Sequence, residues 1–340
     1  MDASCAAWTM SNMDSLRIGV LTAGGDCPGL NAVLRSFVHT LVRSGHSVVG
    51  FENAWQGAAA NDTVNLDIPT VRRILHKGGT ILGTRRGGPF DTPGGVAAVE
   101  NTIAELKLDG IVAIGGNGTL TVASRLFSEH GINVIGVPKT IDNDVWGTQA
   151  SFGFHTAVQI ATDAIDRLHT TSESHDRIIL VEVMGRDAGW IAAYAAIAGG
   201  ACAVLIPERE TSLDALSARI MEHHGVSRSS SIIVVAEGAA LARDAQALSD
   251  LSAGLALRTG HDVRTVSLGY IQRGGTPTAY DRVLATSYGT AAAEAVMEGA
   301  WGEYVVFDGA SMHRALLSDA AGRTRLLSEE MIDAVLSSLL

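Results

Sequence analysis

The stretch Leu16-Arg17-Ile18-Gly19-Val20-Leu21-Thr22-Ala23-Gly24-Gly25-Asp26-Cys27-Pro28-Gly29-Leu30-Asn31-Ala32-Val33-Leu34 decides the reading of the fold. Residues 16–23 form a nearly continuous apolar run, as expected of a strand covered on both faces. A glycine-rich turn follows at 24–29. Beyond it Leu30, Val33, Leu34, Phe37, Val38, Leu41 and Val42 recur in steps of three and four, which predicts an amphipathic helix stopped near Gly45. Strand, glycine turn and helix in that order make the unit of an α/β protein.

The unit recurs along the chain. Strands are expected at 47–51, 110–114, 133–137, 177–183, 203–206, 231–236 and 264–268, and helices at 119–129, 156–168, 190–197, 213–223 and 281–297. Apolar strands alternating with helices predict parallel sheets covered on both faces. The number of units suits two Rossmann-like three-layer α/β domains, and no eight equal units support a closed barrel. The expected division is a flexible N-terminal extension over 1–15, one domain over 16–153 plus about 272–318, and a second over 154–271 plus about 319–340.

Composition narrows the function. The 340 residues carry a formal net charge of −11, which argues against nonspecific nucleic-acid binding, because that needs a basic footprint. An anionic ligand would need cations gathered locally. Three widely spaced cysteines, Cys5, Cys27 and Cys202, suggest neither a disulfide framework nor a zinc knuckle, and fit a reduced cytoplasmic protein. The first fourteen residues lack the charged start and apolar run of a secretory signal, and no apolar run is long enough to span a membrane.

Two turns share a strand-before, helix-after setting. Gly24-Gly25-Asp26 and Gly115-Gly116-Asn117-Gly118-Thr119 let backbone approach an anion, with a helix N-terminus presenting free amides. Each is also compatible with a plain tight turn. Thr119 is expected to cap its helix through the hydroxyl. Neither turn is a Walker A loop, since no Gly-Lys-Ser/Thr completes it. A third run, Gly78-Gly79-Thr80-Ile81-Leu82-Gly83-Thr84-Arg85-Arg86, sets paired cations beside flexible backbone.

The strand expected at 133–137 leads into Pro138-Lys139-Thr140-Ile141-Asp142-Asn143-Asp144. Ligands of open α/β sheets bind at the carboxyl ends of strands, where this run falls. One carboxylate can take a proton from a substrate hydroxyl while the other helps to hold a metal–nucleotide. Thr140 offers a hydrogen bond, and Lys139 a point charge for phosphate.

Five motifs in this order, Gly-Gly-Asp-x-Pro-Gly-x-Asn at 24–31, Gly-Gly-x-Gly-Thr at 115–119, Pro-Lys-Thr-Ile-Asp-Asn-Asp at 138–144, Val-Met-Gly-Arg at 183–186 and Gly-Tyr-Ile-Gln-Arg-Gly-Gly at 269–275, resemble the 6-phosphofructokinase family. The likeness runs from about Leu16 to the C-terminus and lies nearest the actinobacterial-type mixed ATP and pyrophosphate group. NAD and lipid kinases share a Gly-Gly-Asp-Gly-Thr turn but are not expected to carry the other runs.

The resemblance implies transfer of a phosphoryl group from Mg-ATP to the 1-hydroxyl of fructose 6-phosphate. Asp142 would be the general base and Thr140 would touch the acceptor or the moving phosphoryl. Arg86 and Arg186 would balance its charge, and Asn117 and Asp144 would attend Mg²⁺. Gly25, Arg86, Gly87, Gly116, Asn117, Gly118, Thr119 and Lys139 match donor positions. Thr140, Ile141, Asp142, Met184, Gly185, Arg186, Glu237, Tyr270 and Arg273 match sugar positions. Arg177 and Arg264 match arginines that reach the 6-phosphate from a neighbouring subunit, which implies a homodimer or homotetramer.

Two positions depart from the family, and two more disagree over the donor. Asn117 stands where an acidic residue usually helps hold magnesium, and an amide cannot neutralise a dication. Tyr270 replaces a histidine, leaving another ketose phosphate open as acceptor. Gly118 leaves room for the α-phosphate of ATP, where pyrophosphate users carry aspartate, but Lys139 is the residue expected in pyrophosphate users. ATP is favoured, with pyrophosphate the alternative and a nonenzymatic effector-binding relative a further one.

Overall fold

The computed structural model describes residues 15–226 and 231–339. The N-terminal extension expected over 1–15 lies, but for its last residue, outside them. The opening stretch forms β1 (Arg17–Thr22), the turn, and the helix Leu30–Arg43, with Gly45 at φ 86° just past its end. The further strands are β2 (Ser47–Phe51), β3 (Thr63–Leu66), β4 (Gly110–Gly115), β5 (Val134–Pro138), β6 (Ile178–Val183), β7 (Ala203–Leu205), β8 (Ser231–Ala236), β9 (Val263–Ser267), β10 (Glu303–Phe307) and β11 (Met312–Leu316).

They make two open sheets. The first runs β11-β10-β5-β4-β1-β2-β3 and the second β7-β8-β6-β9. The second is parallel throughout. In the first, β3 pairs antiparallel with β2, and β11 antiparallel with β10, so the expectation of purely parallel sheets fails at both edges. The cause is local. Only the short helix Trp55–Ala60 lies between β2 and β3, and β10 turns directly into β11, so neither link is long enough for a parallel crossover; these short edge strands carry half-buried, mixed sequences instead of apolar runs.

Helices cover the sheets as expected, with corrected ends. The helix expected at 156–168 runs Phe154–His175, and that at 119–129 runs Asn117–His130. Gly116, not Thr119, occupies the N-cap of the latter; Thr119 sits in its first turn with no capping bond. Helices unannounced by strong periodicity include Gly95–Leu106, Ala245–Thr259 and Glu329–Ser338.

One continuous core spans both sheets, joining Ile18, Val33, Phe37 and Val112 to Val181, Ile191, Ile232 and Tyr288. The helix Ala279–Met297 packs along Leu30–Arg43, while Glu329–Ser338 rests on Trp190–Ala198. Chain order thus returns to the first sheet after the second is built, and the C-terminal helix returns to the second. Smaller apolar clusters back the outer faces, around Leu21, Phe51 and Trp55 on one side and Leu180, Leu216 and Leu255 on the other. The strand ends of both sheets meet across one cleft.

Candidate active site

Three loops of the first sheet close one wall of the cleft. Gly24 N–H donates to Arg85 O at 2.9 Å, and Thr84 Oγ1 to Gly24 O at 2.9 Å, which ties the first glycine turn to the Arg85-Arg86 segment. Lys139 N–H donates to Gly115 O at 2.9 Å, joining the second turn to the end of β5. The Lys139 ammonium is buried and donates to Gly25 O at 2.5 Å. Burial pushes its pKa down.

At Gly25 the missing side chain matters for space. A side chain at Gly25 would meet the Arg273 guanidinium at 2.9 Å, so the missing Cβ lets Arg273 cross from the second sheet. A Cβ at Gly118 meets nothing within 4 Å. That open space lies in the first turn of Asn117–His130, where free amides favour an anion.

The second sheet supplies the other wall. β6 leads through Met184, Gly185 and Arg186 to the helix Trp190–Ala198, and Met184 N–H donates to Gln272 Oε1 at 3.3 Å. Arg186 holds φ 53°, a conformation that costs a non-glycine residue about 1–3 kcal/mol. Its N–H donates to Glu237 Oε1 at 3.0 Å, and Glu237 follows β8. Strain retained at this arginine, beside a cleft, marks a constrained position.

Between the walls lies a cavity of about 820 Å³. Among its lining are Gly25, Arg86, Gly87, Gly116, Asn117, Gly118, Thr119, Lys139, Thr140, Ile141, Asp142, Asp144, Met184, Arg186, Glu237, Tyr270 and Arg273. Gly185 flanks it. Arg177 and Arg264 do not line it: both pair with Asp262 Oδ2, at 2.8 and 2.9 Å, at the N-terminal ends of β6 and β9. A second cavity, about 870 Å³, opens there between β9 and Ala245–Thr259 and shares only Arg186 and Glu237 with the first. It lacks the paired glycine turns that line the first.

At the centre, Asp142 N–H donates to Thr140 Oγ1 at 3.0 Å, and Asp142 Oδ1 is buried without a partner. Burial, then the neighbouring Asp144 and Glu237 carboxylates, push its pKa up to about 7 against the pull of Arg273 and Lys139. A carboxylate so poised can exchange a proton near neutrality. Asp144 is buried and its pKa is also raised, chiefly by burial. Asn117 Nδ2 donates to Asp144 Oδ2 at 2.9 Å, and Asn117 Oδ1 is left buried and unpartnered. Cys27 is buried, and its thiol is pushed upward by burial, which suits a filler of the turn and not a nucleophile.

Sequence reading missed Asp91, whose carboxylate accepts from Gly88 N–H at 2.7 Å and pins the Arg86-Gly87 loop. No motif marks it. It also missed the C-terminal segment around Arg325, which lies against Asn143 and Asp144.

The family model for phosphofructokinase matches residues 17–296. An "ATP-dependent 6-phosphofructokinase 3" of Streptomyces coelicolor is 47% identical over 323 residues, covering 90% of this chain and 94% of that one. A "Pyrophosphate--fructose 6-phosphate 1-phosphotransferase" of the same organism is 43% identical over 338 residues, covering 94% and 98%. Phosphofructokinase from Saccharomyces cerevisiae superposes with a TM-score of 0.82 at 31% identity, over 90% of this chain and 45% of the yeast chain. The present chain therefore spans under half of the yeast one.

Proposed function

We propose that this chain, which belongs to the phosphofructokinase family, moves a phosphoryl group from Mg-ATP to the 1-hydroxyl of fructose 6-phosphate, giving fructose 1,6-bisphosphate. One observation carries the reading. Asp142, with a raised pKa and an unpartnered buried oxygen, faces a cavity walled by two glycine turns on one side and the Met184–Arg186 loop on the other.

Asp142 takes the proton of the acceptor hydroxyl as that oxygen attacks. The glycine turns hold the donor phosphates by their amides, and Arg86 and Arg186 balance charge on the moving group. Thr140 keeps the Asp142 backbone in place. Met184, Gly185, Glu237, Tyr270 and Arg273 hold the sugar.

Mg²⁺ fits the same place. Asp144 offers a buried carboxylate, and the unpartnered Oδ1 of Asn117 awaits an electropositive neighbour. These suit an ion carried in with the donor's phosphates, bound by few protein oxygens. Once bound, Mg²⁺ supplies charge neutralisation on the phosphates.

The donor is ATP because a Cβ-free position at Gly118 opens onto space for an α-phosphate. Buried Lys139 favours the second reading, pyrophosphate, since its ammonium lies against the Gly25 carbonyl where a short donor would end. Homo-oligomerisation belongs to the proposal: Arg177 and Arg264, remote from their own cavity, serve that of a second copy. The two domains divide the work, donor on the seven-stranded side and sugar on the four-stranded side. No helix among the described residues is long and apolar enough to cross a membrane, and buried free Cys27 and Cys202 accord with a cytoplasmic setting.

The test is purified protein assayed with Mg-ATP and with Mg-pyrophosphate, each crossed with several ketose phosphates. Turnover with ATP and fructose 6-phosphate is expected. Turnover with pyrophosphate alone reverses the donor, preference for another sugar reverses the acceptor, and no turnover on any pair sinks the enzyme reading.

A further inference from the structure

We infer that Arg325, in the segment before the C-terminal helix, is a positioning residue that sets the Asp142-Asn143-Asp144 run against the loop bearing Arg186. This rests on the phosphotransferase reading above. Arg325 lines no part of the cavity and acts through its neighbours.

The segment lies antiparallel to the end of the run through a bridge between Thr324 and Val145. Arg325 N–H donates to Asp144 O at 2.7 Å, and its Nη1 to Asn143 O at 3.1 Å. Asn143 is held at φ 54°, a conformation uncommon for a non-glycine residue. Its side chain is already fixed at the other end, with Oδ1 accepting from Ser151 N–H at 3.0 Å and Nδ2 donating to Gln149 O at 3.3 Å. Turning the Asn143 peptide would swing the carboxylates on both sides of it, and Arg325 holds the one carbonyl left to turn.

The same side chain faces the second sheet. Its guanidinium lies 3.9 Å over the Trp190 ring, and Trp190 Nε1 donates to Arg325 O at 3.0 Å. Trp190 opens the helix that follows the Arg186–Gly189 turn. Glu208 adds a second tie, accepting from Gly189 N–H at 2.9 Å and Leu327 N–H at 3.2 Å through Oε1. Among the described residues no carboxylate pairs with Arg325. A half-buried cation without a counter-charge is costly, so its charge and planar fork serve peptide carbonyls and an aromatic face.

Arg325→Ala, Arg325→Lys and Trp190→Phe separate positioning from mere stability. Wild-type turnover is measured first; its absence on every donor and acceptor pair sinks the phosphotransferase reading and not this geometry. With wild type active, Arg325→Ala is expected to lose about 10- to 100-fold in kcat with KM for both substrates within about threefold, the mark of misplaced reacting groups. Added guanidinium restores part of that loss, Arg325→Lys falls between, and amide exchange quickens at 143–145 while β10 and β11 are unchanged. A kcat within twofold of wild type overturns the inference, as does a loss that tracks the unfolded fraction without guanidinium rescue. Should Arg325→Ala fail to fold, Trp190→Phe decides: it removes the indole N–H bonded to Arg325 O and shrinks the ring under the guanidinium while leaving Arg325 itself in place, and a drop of about threefold or more in kcat at constant KM is expected, whereas unchanged kcat overturns the inference.

Discussion

The two walls of the cleft are built differently. On the seven-stranded side the loops are stitched to one another: Gly24 to Arg85, Thr84 to Gly24, Lys139 to both Gly115 and Gly25. On the four-stranded side two long side chains stand in solvent. Arg186 and Tyr270 are each 76% exposed, and Arg177 and Arg264 are parked on Asp262 outside the cavity. On the reading proposed above, the wall of backbone amides would hold the donor within one chain, whereas the wall of long side chains would be completed by a sugar phosphate and a second copy.

The sharpest break of that contrast is at its centre. Asp142→Asn should lower kcat by about 10²- to 10⁴-fold, the usual worth of a positioned general base. In the wild type, kcat/KM should rise with pH through about 7 as Asp142 ionises. Stability runs the other way. The folded-state pKa lies above the ordinary value of 3.8, so the folded protein holds a proton that the unfolded chain releases. Stability is then lost as pH rises from about 4 to about 7. Asp142→Asn should accordingly melt higher than wild type at pH 8, with the gap closing toward pH 4; thermal melts at both pH values check it.

Gly118→Asp tests the donor wall alone. The new side chain has room and suits the first turn of a helix, so folding is preserved. ATP turnover should fall by about 100-fold, since juxtaposed like charges cost several kcal/mol, while pyrophosphate turnover is spared. Equal loss with both donors would remove Gly118 as the donor selector.

The acceptor wall yields to Arg264→Ala, expected to raise KM for the sugar phosphate about tenfold with little change in kcat, through loss of a charge-assisted phosphate contact. Assayed with the sugar phosphate well below its wild-type KM, a mixture of Arg264→Ala and Asp142→Asn subunits should exceed the sum of the two, because one mixed site has both groups intact. An unrestored mixture would place the sites within single chains. The smallest effect belongs to Asp262→Asn, which frees Arg177 and Arg264 from an exposed pair and should change the same KM by no more than about threefold.

Much of this was legible in one chain. The strand at 231–236 and the ends of β2 are where their apolar runs set them, and the glycine turns sit where strand meets helix. The Asp142-Asn143-Asp144 run announced its place at the carboxyl end of β5 because such ends meet in a cleft. Thr119 misled because a threonine opening a helical pattern looks like a cap, yet Gly116 lies three residues earlier with the extended backbone a cap requires. β3 and β11 were hidden because edge strands need no continuous apolar run, whereas β10 is an interior strand whose buried run Tyr304-Val305-Val306 is only three residues long. The contact of Arg325 with Asn143 joins residues 182 apart, and no local pattern encodes it.

The most direct test of the account is phosphorus NMR of wild-type protein with Mg-ATP and fructose 6-phosphate at pH 8, beside Asp142→Asn. The account predicts ADP and a new phosphate ester at the sugar's C1 with wild type, and neither at a comparable rate with the variant. ATP and fructose 6-phosphate left unchanged by folded wild-type protein, with pyrophosphate in place of ATP giving no transfer either, would contradict it.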